Sequence, residues 1–217
     1  MNQYSYLALG DSYTIGEQVR IHESFPYQTV QLLRKNGFSV YAPEIVAVTG
    51  YTTDELSTLI DETKLLPFYD VVSLLIGVNN QYRGRSVENF ALEFESLLKK
   101  AIAFAGDIPT HVFVLSIPDW GITPFAVDRD TKKIATEIDA FNGICESVSK
   151  KYKTHFIDIT SSQRIDGNKE EFVAADKLHP SGKEYAKWAK QLSDGITEKI
   201  LKYQGLASPS PQGEGLG

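Results

Sequence analysis

Short apolar runs and longer amphipathic segments alternate along most of this chain. The run at 71–76 is almost wholly apolar, which is typical of a strand that helices cover on both faces of a sheet. We predict five strands, at 6–9, 40–48, 71–76, 112–115 and 156–159. Pro43 limits the pairing of the second strand because proline has no N–H group to donate.

The segments between the strands carry apolar residues three and four positions apart, as a helix with one buried face requires. Thr52 followed by Glu55 matches a capping box, and Asn36-Gly37 matches a helix stop. We predict five helices, at 25–35, 52–64, 90–104, 134–148 and 181–201.

This alternation predicts an α/β fold with a mainly parallel five-stranded sheet between helical layers. Ligands of such sheets bind beyond the carboxyl ends of the strands. Ser12, Gly50, Asn79 and Trp120 follow the first four predicted strands, one after each. We therefore expect these four residues at the same edge of the sheet.

Composition narrows the class of protein. The 217 residues, 42% of them hydrophobic, suit one domain, which we place at 1–203, followed by a flexible tail rich in Pro, Gly and Ser at 204–217. A net charge of −6 argues against nucleic acid as a partner. The sequence has no apolar run of about 18 residues, so no transmembrane segment is expected. The sequence starts without a signal-peptide pattern, and its single cysteine, Cys145, cannot form an internal disulfide. Both features favour a cytoplasmic location.

Ser12, Asp176 and His179 are the candidate reactive residues. A serine hydroxyl becomes a nucleophile when an imidazole takes its proton and a carboxylate orients that imidazole. Each part also has a simpler reading: Gly10-Asp11-Ser12 suits an ordinary turn, and an Asp and a His three residues apart suit a metal pair or a surface turn. Cys145 lies on the apolar face of a predicted helix and is interpreted as a structural thiol.

Several common enzyme motifs are absent from the sequence. There is no G-x-S-x-G nucleophile elbow, and no Gly-Lys-Ser/Thr follows the glycine-containing loop after the first strand. An ordinary α/β-hydrolase and a P-loop nucleotide-binding protein are therefore disfavoured.

Four blocks of sequence occur in a fixed order, namely Gly10-Asp11-Ser12 with Gly16, then Gly50, then Gly77-Val78-Asn79-Asn80, then Asp176-Lys177-Leu178-His179-Pro180. Together they resemble the four blocks of the SGNH (GDSL-type) hydrolases. The matches span residues 10–182, and the ordered set is far more specific than any block alone. The resemblance implies a flavodoxin-like three-layer α/β/α fold and ester hydrolysis without a cofactor. We expect no metal site, because the sequence has no second cluster of His, Asp or Glu at ligand spacing.

The resemblance also implies roles for single residues. Ser12 would be the nucleophile, His179 the base and Asp176 the acid that orients it. The oxyanion hole would consist of the backbone of Ser12 and Gly50 and the side chain of Asn79. Tyr13 stands where the family name has leucine, which we expect to change packing beside the pocket and leave the nucleophile intact.

Substrate contacts are predicted from the loops at the expected site edge. Trp120 and Phe125, in a loop shaped by two prolines and a glycine, either wall the pocket or only anchor the loop to the core. Tyr82 is a further candidate for substrate binding. Arg83 and Arg85 either meet an anionic leaving group or form a solvated surface.

Three functions are compatible with these residues. The first is hydrolysis of small carboxylic esters with short acyl or acetyl groups, including acetylated carbohydrates, because 118–131 is too short for a lid domain. The alternative is a lysophospholipase or thioesterase. A non-catalytic binding module of the same fold belongs to another class, and the presence of the serine, the histidine and the oxyanion donors argues against it.

Overall fold

Five parallel strands form a single sheet in the order β2-β1-β3-β4-β5 in the computed structural model, which describes residues 3–201. The strands are β1 (Tyr6–Gly10), β2 (Glu44–Ala47), β3 (Val71–Leu75), β4 (Val112–Leu115) and β5 (His155–Ile157). This is the strand order of flavodoxin-like folds, in which the order reverses beside β1 and opens a crevice at the carboxyl ends. The predicted α/β class is confirmed.

Helices cover the sheet in two layers. They are α1 (Ser12–Ile15), α2 (Phe25–Lys35), α3 (Thr53–Glu62), α4 (Val78–Tyr82), α5 (Val87–Phe104), α6 (Thr131–Tyr152), α7 (Thr160–Asp166) and α8 (Gly182–Ile196). In one layer α2 packs against α8, and in the other α5 packs against α3 and α6.

The core lies between the sheet and these layers. Every residue of β1 and β3 is buried, as expected for strands covered on both faces. Phe25 and Trp188 join α2 to α8 with their ring centres 6.3 Å apart, and Phe90 and Phe141 join α5 to α6 at 4.6 Å. These aromatic pairs hold the helices against the strands whose ends carry the site.

The structure differs from the predicted elements mainly at their ends. The second strand is only Glu44–Ala47, because the preceding Pro43 cannot donate to a ladder, and Val40 makes a lone bridge to Tyr4. The last strand begins at His155 and ends at Ile157. The closing helix ends at Ile196 and continues as a π-helical turn, Thr197–Leu201. The predicted tail, 204–217, lies outside the described residues.

The short helices α1, α4 and α7 were not predicted. Each has between four and seven residues, too few to show a helical period in the sequence. Two of them, α1 and α4, directly follow β1 and β3 and carry candidate site residues. Cys145 is fully buried on α6, and this burial raises the pKa of its thiol, consistent with a structural role.

Candidate active site

Ser12 is the first residue of α1, immediately after β1. Asp11 caps this helix by accepting a hydrogen bond from the Tyr13 N–H at 3.0 Å. Gly10 is required at the turn, because a Cβ there would lie 2.4 Å from the Leu75 carbonyl oxygen. The first N–H of a helix has no acceptor within the helix, so the backbone of Ser12 offers a free donor beside its own hydroxyl.

Asp176 and His179 lie in a closed loop before α8. The loop is held by the Ala174 N–H donating to the His179 carbonyl at 2.7 Å and the Ser181 N–H donating to the Phe172 carbonyl at 2.9 Å. Within it, one Asp176 oxygen accepts the backbone N–H groups of Leu178 and His179, each at 3.0 Å. The backbone of the loop therefore holds the Asp176 carboxylate in place independently of its contact with the His179 ring.

The structure brings Ser12, His179 and Asp176 together in a hydrogen-bonded chain. His179 Nδ1 lies 2.6 Å from the second Asp176 oxygen, and His179 Nε2 lies 3.0 Å from Ser12 Oγ. Ser12 is 5% exposed and His179 9%, so little water competes for these bonds. Burial raises the pKa of Asp176, but the hydrogen bonds from His179 and the backbone outweigh it and leave the pKa below its ordinary value. Asp176 is therefore ionised at neutral pH.

Tyr13 packs against the imidazole. Its ring centre lies 5.4 Å from that of His179 and 6.1 Å from that of Trp188 in α8. Tyr13 thus fills the space behind the His179 ring and connects that ring to the core.

Gly50 and Asn79 face Ser12 across the same cavity. Gly50 has φ of +82°, a left-handed conformation that glycine adopts without strain. Its N–H makes no hydrogen bond within the described residues. Asn79, near the start of α4, donates through Nδ2 to the Tyr51 carbonyl at 2.9 Å. That bond uses one of the two amide hydrogens and leaves the other for a ligand.

The cavity at Ser12 has a volume of about 240 Å³. The predicted contact residues Tyr82, Trp120 and Phe125 all line it, together with Leu178. Trp120 is buried, and its ring stands edge-on to Tyr82 at 5.4 Å and to Phe125 at 6.1 Å. Tyr82 is 52% exposed and Phe125 41%, so these two aromatic rings form the mouth of the cavity.

Sequence reasoning missed the long-range contacts that support the Trp120 wall. Gln81 accepts from Trp120 Nε1 at 2.8 Å and donates to Glu137 at 2.7 Å. Asp119 is buried, accepts the Gly121 N–H at 2.9 Å and pairs with Arg164 at 2.8 Å. The contacts of Gln81 with Trp120 and Glu137, and of Asp119 with Arg164, join positions 39 to 56 apart in the sequence. Arg164 also lies on helix α7, which was not predicted.

The two arginines after Asn79 are both paired with carboxylates. Arg83 contacts Glu55 at 3.1 Å, and Arg85 contacts Asp54 at 2.6 Å and Glu93 at 3.4 Å. Neither guanidinium lines the cavity. A direct contact with an anionic leaving group is therefore not supported.

Asp11 is a buried carboxyl group directly behind the candidate nucleophile. One of its oxygens accepts the Tyr13 N–H, and the other has no partner within the described residues. Burial raises its pKa from 3.8 to about 7, and the backbone hydrogen bonds only partly oppose this shift. The folded protein consequently holds a proton on Asp11 at pH values where the unfolded chain has lost it.

We predict that stability falls as the pH rises from about 4 to about 7, because ionising Asp11 is harder in the folded state than in the unfolded one. Asp11→Asn carries no titrating group and should lack this contribution. Urea unfolding of both proteins at pH 5 and pH 8 measures the free energy of unfolding. The value for the variant minus that for the parent should be larger at pH 8 than at pH 5. A difference that is the same at both pH values would contradict the prediction.

Within the described part of the chain, no three His, Cys, Asp or Glu side chains are arranged to hold a metal ion. The metal-pair reading of Asp176 and His179 thus gains no further ligand from residues 3–201. Across the same residues, no helix combines the length and apolar character needed to cross a membrane.

One protein family matches most of this chain. A model of the GDSL-like lipase/acylhydrolase family matches residues 8–187, which contain all of the candidate site residues. No match was found among curated protein sequences.

Solved structures share the fold. A lipase/acylhydrolase from Enterococcus faecalis has a TM-score of 0.72 at 20% identity, over 91% of this chain and 96% of that one. The acetylxylan esterase Axe2 from Geobacillus stearothermophilus has a TM-score of 0.69 at 16% identity, over 89% and 94%. The psychrotrophic esterase EstA from Pseudoalteromonas sp. has 0.62 at 16% identity, over 93% and 99%.

Proposed function

Since this chain belongs to the GDSL-like lipase/acylhydrolase family and is an ester hydrolase, we propose that it is a serine esterase for small esters with short acyl groups. The observation that carries the proposal is the 3.0 Å contact between Ser12 Oγ and His179 Nε2 at the wall of a small cavity. The substrate is a small-molecule ester, and the reaction needs no cofactor. The cytoplasmic location expected from the sequence stays a prediction.

The reaction begins when Ser12 Oγ attacks the ester carbonyl carbon while His179 Nε2 accepts the hydroxyl proton. Asp176 holds the Nδ1–H of the ring and stabilises the imidazolium that forms. The resulting oxyanion accepts hydrogen bonds from the N–H groups of Ser12 and Gly50 and from Asn79 Nδ2. His179 then gives its proton to the leaving alcohol, and the acyl group remains on Ser12.

Deacylation repeats these steps with water as the nucleophile. His179 takes a proton from the water, which attacks the acyl carbon and again forms an oxyanion at the same three donors. The proton then passes to Ser12 Oγ as the carboxylic acid is released. One base and one set of donors therefore serve both halves of the reaction.

The size of the cavity supports a short acyl group. Pockets for drug-sized ligands are about 300–1,000 Å³, whereas this cavity is about 240 Å³ and is closed on one side by the buried Trp120. An acetyl to butyryl group fits such a space. A long acyl chain would have to leave it through the mouth between Tyr82 and Phe125.

We predict that kcat/KM on p-nitrophenyl esters falls steeply once the acyl chain exceeds about six carbons, because the remaining carbons stay outside the cavity. Phe125→Ala removes one side of the mouth without touching the buried hydrogen bond of Trp120, and should shift the preference towards longer chains. Faster hydrolysis of a long-chain lysophospholipid than of acetyl esters would overturn the proposal in favour of a lysophospholipase.

As the substrate we propose an acetylated carbohydrate, whose sugar hydroxyl is the leaving alcohol. The half-exposed rings of Tyr82 and Phe125 offer apolar faces at the mouth on which a sugar ring can stack. Acetyl xylan esterases are among the proteins of this fold. Acetate release from acetylated xylose, acetylated glucose and ethyl acetate tests this. A kcat/KM for the acetyl sugars above that for ethyl acetate supports the proposal, and a value below it contradicts the proposal.

A further inference from the structure

Helix α4 is connected at both ends to the loop that contains Gly50. Asn79, near its start, donates to the Tyr51 carbonyl at 2.9 Å. Arg83, which caps its end, donates through Nη2 to the Gly50 carbonyl at 2.6 Å. The candidate oxyanion donors Gly50 and Asn79 are thus joined through one short helix.

Arg83 is itself held in place. Its Nη1 donates to Glu55 at 3.1 Å, and the other Glu55 oxygen accepts the Thr52 N–H at 2.8 Å, in the capping box of α3. The guanidinium therefore bridges the end of α4, the start of α3 and the loop between β2 and α3. Planar guanidinium groups suit such a bridge because their N–H donors have fixed directions.

Gly50 needs an external restraint. It is a glycine at positive φ beyond β2, the edge strand that pairs with β1 alone. A Cβ built on Gly50 would lie 3.9 Å from Arg83 Nη2. Among the other residues that the structure describes, setting aside the two chain neighbours of Gly50, no further side chain lies within 4 Å of that position. The contact with Arg83 therefore limits how far this glycine can rotate.

We propose that Arg83 is a positioning residue that keeps the Gly50 N–H directed at the oxyanion by holding the carbonyl group of the same residue. The proposal rests on the proposed function, because it requires an oxyanion to form beside Ser12. Arg83 acts through Gly50 and does not touch the substrate. The loss of Arg83 should therefore weaken stabilisation of the transition state, in which the Gly50 N–H donates to the oxygen that develops negative charge, and should leave binding of the neutral ester unchanged.

The test compares Arg83→Ala with a matched control, Arg85→Ala. Arg85 lies two positions away and pairs with Asp54 and Glu93, but makes no contact with Gly50. Losing an oxyanion donor outright costs about 10²–10³ in rate, so misdirecting one should lower kcat on p-nitrophenyl acetate by roughly ten-fold to 100-fold. KM should stay within about two-fold, Arg83→Lys should recover part of kcat, and Arg85→Ala should keep the parent kcat.

Inhibition by phenylboronic acid gives a second measurement. Its boron adds reversibly to a serine hydroxyl and places an oxygen where the oxyanion forms. The inhibition constant should therefore rise in Arg83→Ala by the same factor by which kcat/KM falls. If this variant does not fold, Arg83→Lys and Glu55→Gln take its place, with the same expectation of lower kcat at constant KM.

Two results would overturn the role of Arg83: parent-like kcat and boronate inhibition in the Arg83 variants, or an equal loss in Arg85→Ala. Both presuppose that the parent protein hydrolyses p-nitrophenyl acetate. A parent protein inactive on every ester of the panel would contradict the proposed function instead, so the two failures are distinguishable.

Discussion

Ser12→Ala should lower ester hydrolysis by about 10⁴–10⁶-fold, the loss that follows removal of a serine nucleophile. The hydroxyl is the only part of the residue that differs, and it lies 3.0 Å from His179 Nε2. The backbone N–H of residue 12 remains, so we expect the cavity and the proposed oxyanion donors to be preserved. The measurement is kcat/KM on p-nitrophenyl acetate with purified proteins.

Ser147→Ala provides the control for that substitution. Ser147 is exposed on α6 and donates to the Ile144 carbonyl within the same helix. Its loss should leave activity within about two-fold of the parent, as is usual for surface sites. Near-parent activity in Ser12→Ala would remove the nucleophile assignment, because no backbone group can replace a missing hydroxyl.

Asp176→Asn should lower kcat by about 10⁴-fold while leaving the fold intact. The asparagine oxygen can still accept the N–H groups of Leu178 and His179, so the loop keeps its shape. Its NH₂ group then faces His179 Nδ1, which must accept a hydrogen bond instead of donating one. The proton moves to Nε2, and the ring can no longer take the proton of Ser12.

The measurement pairs kcat with thermal unfolding. We expect a midpoint within a few degrees of the parent, together with the large loss of kcat. A ten-fold loss or less would show that Asp176 does not determine which nitrogen carries the proton. A large fall in the midpoint would point to the loop, and Asp176→Ala, which loses both backbone bonds as well, would then be the more damaging change.

Much of the fold followed from local patterns in the sequence. Continuous apolar runs predicted β1, β3 and β4 because those strands are covered on both faces, and the Thr52–Glu55 capping box predicted the start of α3. The position of Pro43 explains why only part of the predicted second strand pairs. Helices as short as α1 and α4 leave no periodic signal, although their positions after glycines are visible.

The candidate site could be predicted only because its motifs occur in a fixed order. The three-residue spacing of Asp176 and His179 was also compatible with a metal pair or a surface turn. No local sequence pattern predicts that residue 12 lies beside residue 179. Supporting contacts such as Arg83 with Gly50 or Trp120 with Gln81 join positions 33 and 39 apart. They depend on how loops at the sheet edge meet, which residue types and periodicity do not encode.

Fluorophosphonate labelling, located by peptide mass spectrometry, tests most directly whether His179 activates Ser12. The oxygen of an activated serine attacks the phosphorus of the reagent and displaces fluoride. A phosphonyl group then remains on the serine oxygen. We predict modification at Ser12 in the parent protein, strongly slowed modification in His179→Ala and none in Ser12→Ala. A label on another residue, or equal labelling of Ser12 without His179, would contradict the account.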